Sequence, residues 1–465
     1  MWWDAALYGA SAVLAGLAAR FDYIPLQREW GRLAVGPYAA GAVVAALLAL
    51  RWRRRPARRP LRARAVLAVA VLAGAMLLPF TLEVAWRAYD GDRLHVQSEI
   101  FLIEQGSRVL LHGGDPYRAV YGYGLLRSYP PGVWEHVPYL PAVFVFGLPR
   151  ALLGAGPLTD ARIAIMMVSV VVALLALALS GAPGAQRLRL LMVLLVLPTG
   201  ARYLTGGGDD VVVLALLLLA VVLERRGRPV AAGAVAGVAA AIKQTAWPLL
   251  PFLALAARDR VSSGGPAAAV GAACGPSGRG TAPPEPPSGR RATGRFLAAV
   301  AAAVVPLVAP FAVWDLHRLV DSVVLYPLGL SSQPTIARGP TIGRLLAAPF
   351  PEAKGAIAAL GALAVVALAL WLLVRRTPAT VAAACWQAAV VFALAVLLAT
   401  AGRLGYLIYP INLLVWSWCL RDRSMRREPG GEAQDEAPAA VFASALACSI
   451  LAVDRRDRAS RSITR

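Results

Sequence analysis

Apolar runs of roughly 17–20 residues recur along nearly the whole of this sequence, and each is long enough to cross a bilayer as an α-helix. No other feature constrains the fold as much. The chain reads as an all-α polytopic transmembrane helical bundle. Spans are expected at 4–20, 35–52, 65–82, 138–155, 160–180, 187–204, 209–223, 229–242, 245–257, 296–313, 355–374, 379–399 and 402–420, with a weaker apolar stretch at 437–453. That makes about 12–14 spans on the length criterion. Hydrophobic residues make up 58% of the 465, more than soluble domains usually carry. The N-terminal MWWDAALYGASAVLAGLAARF has no basic n-region and reads as a first span or half-span, not a cleaved signal.

A net charge of +21 invites a nucleic-acid reading, but the arginines sit between the apolar spans. The run RWRRRPARRPLRAR (51–64) is what the positive-inside bias produces, and it suits anionic lipid headgroups. A nucleic-acid partner is therefore excluded, and the expected partner is the lipid bilayer. Cys274, Cys385, Cys419 and Cys448 are scattered without CxxC spacing and read as apolar fillers.

The loops are of two kinds. Those at 51–64, 224–228, 375–378, 421–428 and 258–295 are basic and belong on the cytoplasmic side. The segment 258–295, rich in Gly, Pro, Ser and Ala, reads as a disordered cytoplasmic linker. Those at 83–137 and 314–354 are near-neutral, aromatic and proline-rich, and belong outside. The chain divides into a transmembrane domain, 1–420, and a cytoplasmic tail, 421–465. One conflict stands: four expected spans separate the outer loop 83–137 from the cytoplasmic 224–228, where an odd number is required. The stretch 138–155, with Pro138, Pro141 and Pro149, is the first suspect for a segment that does not cross.

The outer loop carries the chemistry. Residues 98–111 have helical spacing, with Leu102, Ile103, Gly106, Val109 and Leu110 on one face. Ser98 is the expected N-cap, Glu104 and Arg108 an i, i+4 pair, and Gly113-Gly114 the stop. This predicts a short amphipathic helix lying at the outer membrane face. Glu99 falls on its apolar side. A partly desolvated carboxylate there is poised as a base; an acid stabilised by the helix dipole is the other reading. Asp115, Tyr117, Tyr129, Pro130 and Pro131 would form a wall suited to a sugar, although amphipathic rings also suit the headgroup layer. All four histidines (His95, His112, His136, His317) lie in the two outer loops, but their spacing matches no metal motif and no metal site is expected. His317 and Arg318 are better read as donors to a phosphate. TGGGDD (205–210) and AAIKQTAWPLL (240–250) place charges among apolar spans, where they are costly and functional by default. Lys243 either binds an anionic phosphate or pairs with Asp209 or Asp210, and the two readings stand level.

An acid, a short amphipathic helix, LLHGGDPY and SYPP are followed by a glycine-rich break and by ERRGRPVAAGAVAGVAAAIKQTAWPLL. In this order they resemble the polytopic glycosyltransferases of the GT-C type, most nearly the actinobacterial polyprenyl-phosphate-mannose-dependent mannosyltransferases. The resemblance covers roughly 95–255, the rest only by pattern. It implies inverting transfer of a hexose, mannose first, from a polyprenyl-phosphate donor to an envelope glycolipid or glycan on the extracytoplasmic side of the cytoplasmic (inner) membrane. The family's general base, an aspartate, falls on Glu99; the family's lysine and proline fall on Lys243 and Pro248. Where this chain has GGGDD, relatives often carry an amide, so Asp209 and Asp210 depart from the pattern. Positive charge for the leaving phosphate would come from Lys243, His317, Arg318 or Arg338. No nucleotide-binding motif is present, as a lipid-linked donor requires. The donor is a substrate, so no cofactor is expected, and no motif indicates a divalent cation. Two other classes compete: a transporter or flippase of a lipid-linked sugar, which predicts internal repeats that are not visible, and a non-catalytic scaffold of envelope assembly.

Overall fold

In a computed structural model the chain is described over residues 1–22, 24–55, 60–90, 95–262, 289–333, 335–337 and 339–421, and these are mostly helical with no strand among them. The helices used below are α1 (Trp2–Phe21), α2 (Pro25–Arg54), α3 (Pro60–Asp90), α4 (Ser98–Leu111) and α5, a 3₁₀ turn Pro141–Gly147 continued by Leu148–Leu153. They continue with α6 (Ala161–Leu179), α7 (Gly184–Gly206), α8 (Asp210–Arg225), α9 (Pro229–Ile242) and α10, a 3₁₀ turn Gln244–Leu249 running into Leu250–Ser262. The last four are α11 (Gly289–Val320), α12 (Lys354–Arg375), α13 (Val381–Leu398) and α14 (Ile408–Cys419).

The all-α polytopic reading holds, with fewer long spans than expected. Among the described residues seven helices are long and apolar enough to cross a membrane. Several other apolar stretches are short or broken: α5, α9 and the apolar part of α10, Gln244–Ala257, each fall below that length. Prolines account for two of the breaks, Pro141 opening one 3₁₀ turn and Pro248 lying inside another. Helix also reaches further into the expected loops. It runs through 83–90 and, after a kink at Asp315, over 316–320, and the ends of the expected linker 258–295 are helical to Ser262 and from Gly289. The middle of that linker and the stretch 437–453 lie outside the described residues.

The parity conflict resolves at α5. Its 3₁₀ and α turns together rise about 23 Å, short of the roughly 30 Å hydrocarbon core. Both ends stay near α4: Phe144 in its first turns meets Ser107 of α4 (2.6 Å), and Asp160, just before α6, meets Arg87, which also holds Glu104 of α4. From there α6 runs to the opposite end, where Arg225 bonds to the Ser180 carbonyl at 2.8 Å. Next α7 returns, bringing Gly206 against Gln97, and α8 leaves again. These three passes satisfy the odd-number rule. The starts of α1 and α3 share the opposite end, joined by Asp4 and Arg64 at 2.7 Å.

The core lies around α8, where every residue from Asp210 to Glu224 is buried. A helix apolar on all sides belongs inside a bundle. The periphery is α11 and α12, whose apolar windows are each only 6% buried and so face lipid. Between these layers α9 crosses α11 closely: a Cβ on Gly233 would lie 2.3 Å from the Phe296 carbonyl, and one on Gly237 2.8 Å from the Ala303 Cβ. Small residues four apart allow such backbone approach, which drives helix association in lipid, where burial of apolar surface contributes little.

Candidate active site

Helix α4 begins at Ser98, with Gln97 at the capping position and no side-chain cap. It ends as its glycines predict, with Gly113 at φ +76° and its N–H bonded to the Leu110 carbonyl at 3.0 Å. It does not lie on the surface as expected. Ile100 to Glu104, Gly106 and Ser107 are all buried where α5 and α6 pack against the helix, while Arg108 and His112 on its polar face stay exposed. The Ser107 hydroxyl lies 2.6 Å from each of the carbonyls of Ile103 and Phe144, either of which can accept its one hydrogen.

Glu104 accordingly does not pair with Arg108. It is buried against Arg87 (2.6 Å) and Arg150 (3.3 Å), and its Oε1 accepts the Ala161 N–H at 3.0 Å. Arg87 also reaches Asp160 at 2.8 Å, and Asp160 is bound in turn by Arg162 at 2.8 Å. Burial works against the charge on Asp160, but Arg162 and then Arg87 outweigh it and hold the carboxyl below the usual carboxylate range. An exposed i, i+4 pair stabilises a helix by only about 0.2–0.5 kcal/mol, whereas a buried carboxylate requires partners. The interior network wins, and it fixes α4 to α3 and α6.

Held in this way, α4 presents Glu99 to the interior of the bundle. The Glu99 side chain is 16% exposed, and its Oε1 lies 3.4 Å from Nη1 of Arg403. Its charge acts on Tyr139, Tyr203, Asp209, Lys243 and Tyr406. Behind Glu99 stands a buried cluster. Lys243 Nζ is 2.6 Å from Asp209 and 2.8 Å from Asp210. The Tyr409 hydroxyl donates to Asp210 at 2.7 Å and accepts from Thr245 at 2.6 Å. The ammonium also sits 5.3 Å from the ring centre of Tyr139 and 5.8 Å from that of Tyr406. The pairing considered for Lys243 in the sequence is present, with both aspartates at once.

The glycine triplet before Asp209 makes this convergence fit. Gly207 turns the chain at φ +94°, and a Cβ there would lie 2.2 Å from Ile100, the neighbour of Glu99. Only glycine accepts both the conformation and the contact.

The other expected site residues fall in three places. Asp115 accepts the Tyr117 N–H at 2.9 Å, and burial, opposed by that bond, raises its carboxyl above the usual range. Tyr117 is buried, its hydroxyl donating to the Tyr139 carbonyl at 2.7 Å, so it ties the loop to the segment beside Lys243. The Tyr129 carbonyl accepts from Trp134 at 2.9 Å, while Pro130 and Pro131 are exposed. His317 and Arg318 are exposed beyond the non-helical Asp315, which also meets Arg118 of the outer loop at 3.6 Å. Arg338 lies outside the described residues. The four histidines separate: His95 joins Glu29, Glu83 and Asp90; His112 bonds to the Arg108 carbonyl; His136 bonds to Asp321 and stacks on Tyr326; His317 is exposed.

Sequence reasoning missed Arg403, Tyr406 and Tyr409, all placed within the expected span 402–420. The signal was present, since an arginine in an apolar span marks a site by the argument already applied to Lys243.

Fold and site together define a polytopic membrane protein with a half-buried carboxylate set over an interior charged cluster. Residues 138–278 match the family model for glycosyltransferase family 87, and this supports a membrane glycosyltransferase. The matched stretch holds Tyr139, Asp209, Asp210 and Lys243; Glu99 and Arg403 lie on either side of it. No curated protein matches the chain.

Proposed function

We propose that this protein transfers a hexose, mannose being the first to test, from a polyprenyl-phosphate donor to a glycolipid or glycan acceptor on the outer face of the cytoplasmic membrane. The observation that carries this reading is Glu99, a half-buried carboxylate 3.4 Å from the Arg403 guanidinium, beside the charged cluster of the matched segment. In this reading Glu99 takes the proton from an acceptor hydroxyl, and the hydroxyl oxygen forms a bond to the anomeric carbon. The bond from that carbon to the phosphate oxygen breaks on the opposite side, inverting the configuration. The phosphate leaves with its negative charge, which Arg403 is placed to stabilise. Arg403 takes the role considered for Lys243, whose charge is already shared by two carboxylates. His317 and Arg318 remain secondary phosphate donors. Lys243 and its aspartates fix the floor beneath Glu99. The exposed Pro130 and Pro131 edge the acceptor side, and the polyprenyl chain stays in the bilayer.

The test uses membranes containing the protein, radiolabelled polyprenyl-phosphate-mannose and a crude envelope acceptor fraction. Wild type is expected to transfer label. Glu99→Gln, at equal expression, is expected to lose about 10²–10⁴-fold in kcat, the size of a general-base contribution. Arg403→Ala is expected to lower kcat and weaken donor use. Equal transfer by wild type and Glu99→Gln removes Glu99 from the chemistry, and no transfer by wild type overturns the choice of donor.

A further inference from the structure

Away from the Lys243 cluster, three elements converge on His95. Its Nδ1 lies 2.9 Å from Oε2 of Glu29, near the start of α2, and 3.2 Å from Oε2 of Glu83 in α3. Its Nε2 lies 3.1 Å from Oδ2 of Asp90, at the end of α3. One ligand atom from each of Glu29, Glu83 and His95 falls within 4.8 Å of the other two, the span of a single coordination sphere.

Two observations point to a ligand beyond these mutual contacts. Glu83 is 0% exposed, yet its Oε1 is buried with no hydrogen-bond partner. Buried carboxylate oxygens are seldom left so, and a bidentate carboxylate would turn both oxygens to one cation. The charge is also unbalanced. Even a protonated His95 supplies one positive charge against three carboxylates, and Arg162, whose charge acts on Glu83, is bound to Asp160 at 2.8 Å. Two carboxyls held this close stay ionised together only with a cation between them; otherwise one of them keeps its proton.

The histidine is oriented for that role. Coordination through Nδ1 leaves Nε2–H to donate to Asp90, the outer carboxylate that metal-bound histidines commonly have. One imidazole nitrogen with carboxylate oxygens suits a borderline divalent ion; Mg²⁺ and Ca²⁺ favour all-oxygen sites, and soft ions favour thiolates.

We propose that Glu29, Glu83 and His95 bind one divalent cation of the Zn²⁺ or Mn²⁺ class, with Asp90 holding the imidazole. The site joins α2 to α3 four residues before Glu99, so the ion would pin the start of α4 and act as a positioning element for the carboxylate.

The experiment uses the full-length protein, without a histidine tag, in detergent and stripped with a chelator. Calorimetric titration with Zn²⁺, Mn²⁺, Mg²⁺ and Ca²⁺ should give one saturable equivalent for Zn²⁺ or Mn²⁺, at least 10-fold tighter than for the other two. Binding should raise the unfolding temperature. His95→Ala should abolish the equivalent. Glu29→Gln should weaken it strongly, and Asp90→Asn by about 10–100-fold, the usual effect of removing an outer-shell partner. The last two residues sit at the rim, so their variants inform even if His95→Ala fails to fold. No saturable equivalent in wild type, full binding in both Glu29→Gln and Asp90→Asn, or tighter binding of Mg²⁺ or Ca²⁺ would overturn the proposal. None of these readouts depends on glycosyl transfer.

Discussion

Lys243 sits between two carboxylates because a buried ammonium needs charged partners. The side chain is 3% exposed, with Asp209 at 2.6 Å and Asp210 at 2.8 Å. Removing the ammonium leaves two charges buried without a cation, a change that typically costs about 3–5 kcal/mol. Lys243→Met is therefore expected to unfold at markedly lower temperature in detergent. Adding Asp209→Asn to it should recover part of the loss, which a double-mutant cycle would measure as coupling. Full stability of the single variant would mean that the triad contributes nothing to the fold. At this scale the sequence was half legible. A lysine and two aspartates in apolar surroundings announced a partnership, but whether Lys243 faced phosphate or carboxylate rested on two helix ends meeting across 34 residues of chain. Glu104 shows the same limit: its neighbour by helical spacing was Arg108, while its partner in space is Arg87.

Helix α4 was legible as an element from its spacing and its glycine stop. Its depth was not, since burial depended on α5 and α6 closing over it. The element is held by close backbone approach at both ends of its inner face. A Cβ on Gly106 would lie 2.3 Å from the Phe144 ring, and one on Gly207 2.2 Å from Ile100. The Gly207 position also has φ +94°, which a residue with a side chain occupies at a cost of about 1–3 kcal/mol. Gly207→Ala is expected to lower stability by at least that amount and to reduce transfer, because Ile100 and with it Glu99 must move. Combining it with Ile100→Ala relieves the steric contact but not the backbone strain, so thermal stability should recover only in part and kcat with it. Unchanged kinetics in Gly207→Ala would show that the turn does not set the position of Glu99.

For the whole molecule, the alternation of passes makes a topological prediction. The loop around Val120, 59% exposed, shares the α4 end, and Arg226 shares the opposite end with Ser180. Cys385 and Cys419 are buried and should be silent to a polar maleimide. With Cys274 and Cys448 replaced by serine, a cysteine at Val120 should label in intact cells, and one at Arg226 only after permeabilisation. The reverse pattern would place Glu99 on the cytoplasmic side and end the lipid-linked-donor reading.

The sequence by itself determined that the chain is a helical membrane bundle, which loops are basic, and that an acid opens a short helix beside a glycine–proline turn. These follow from local properties: the length of apolar runs, charge between them, and turn chemistry. The tertiary structure decided which apolar stretches form long unbroken helices, that Lys243 is shared by two aspartates, that Arg403 meets Glu99 across 304 residues, and that His95 gathers carboxylates from α2 and α3. Pairings of this kind are set by which helix ends pack together. Inside an apolar bundle every buried charge must find a partner, and the nearest one in space is seldom the nearest in sequence.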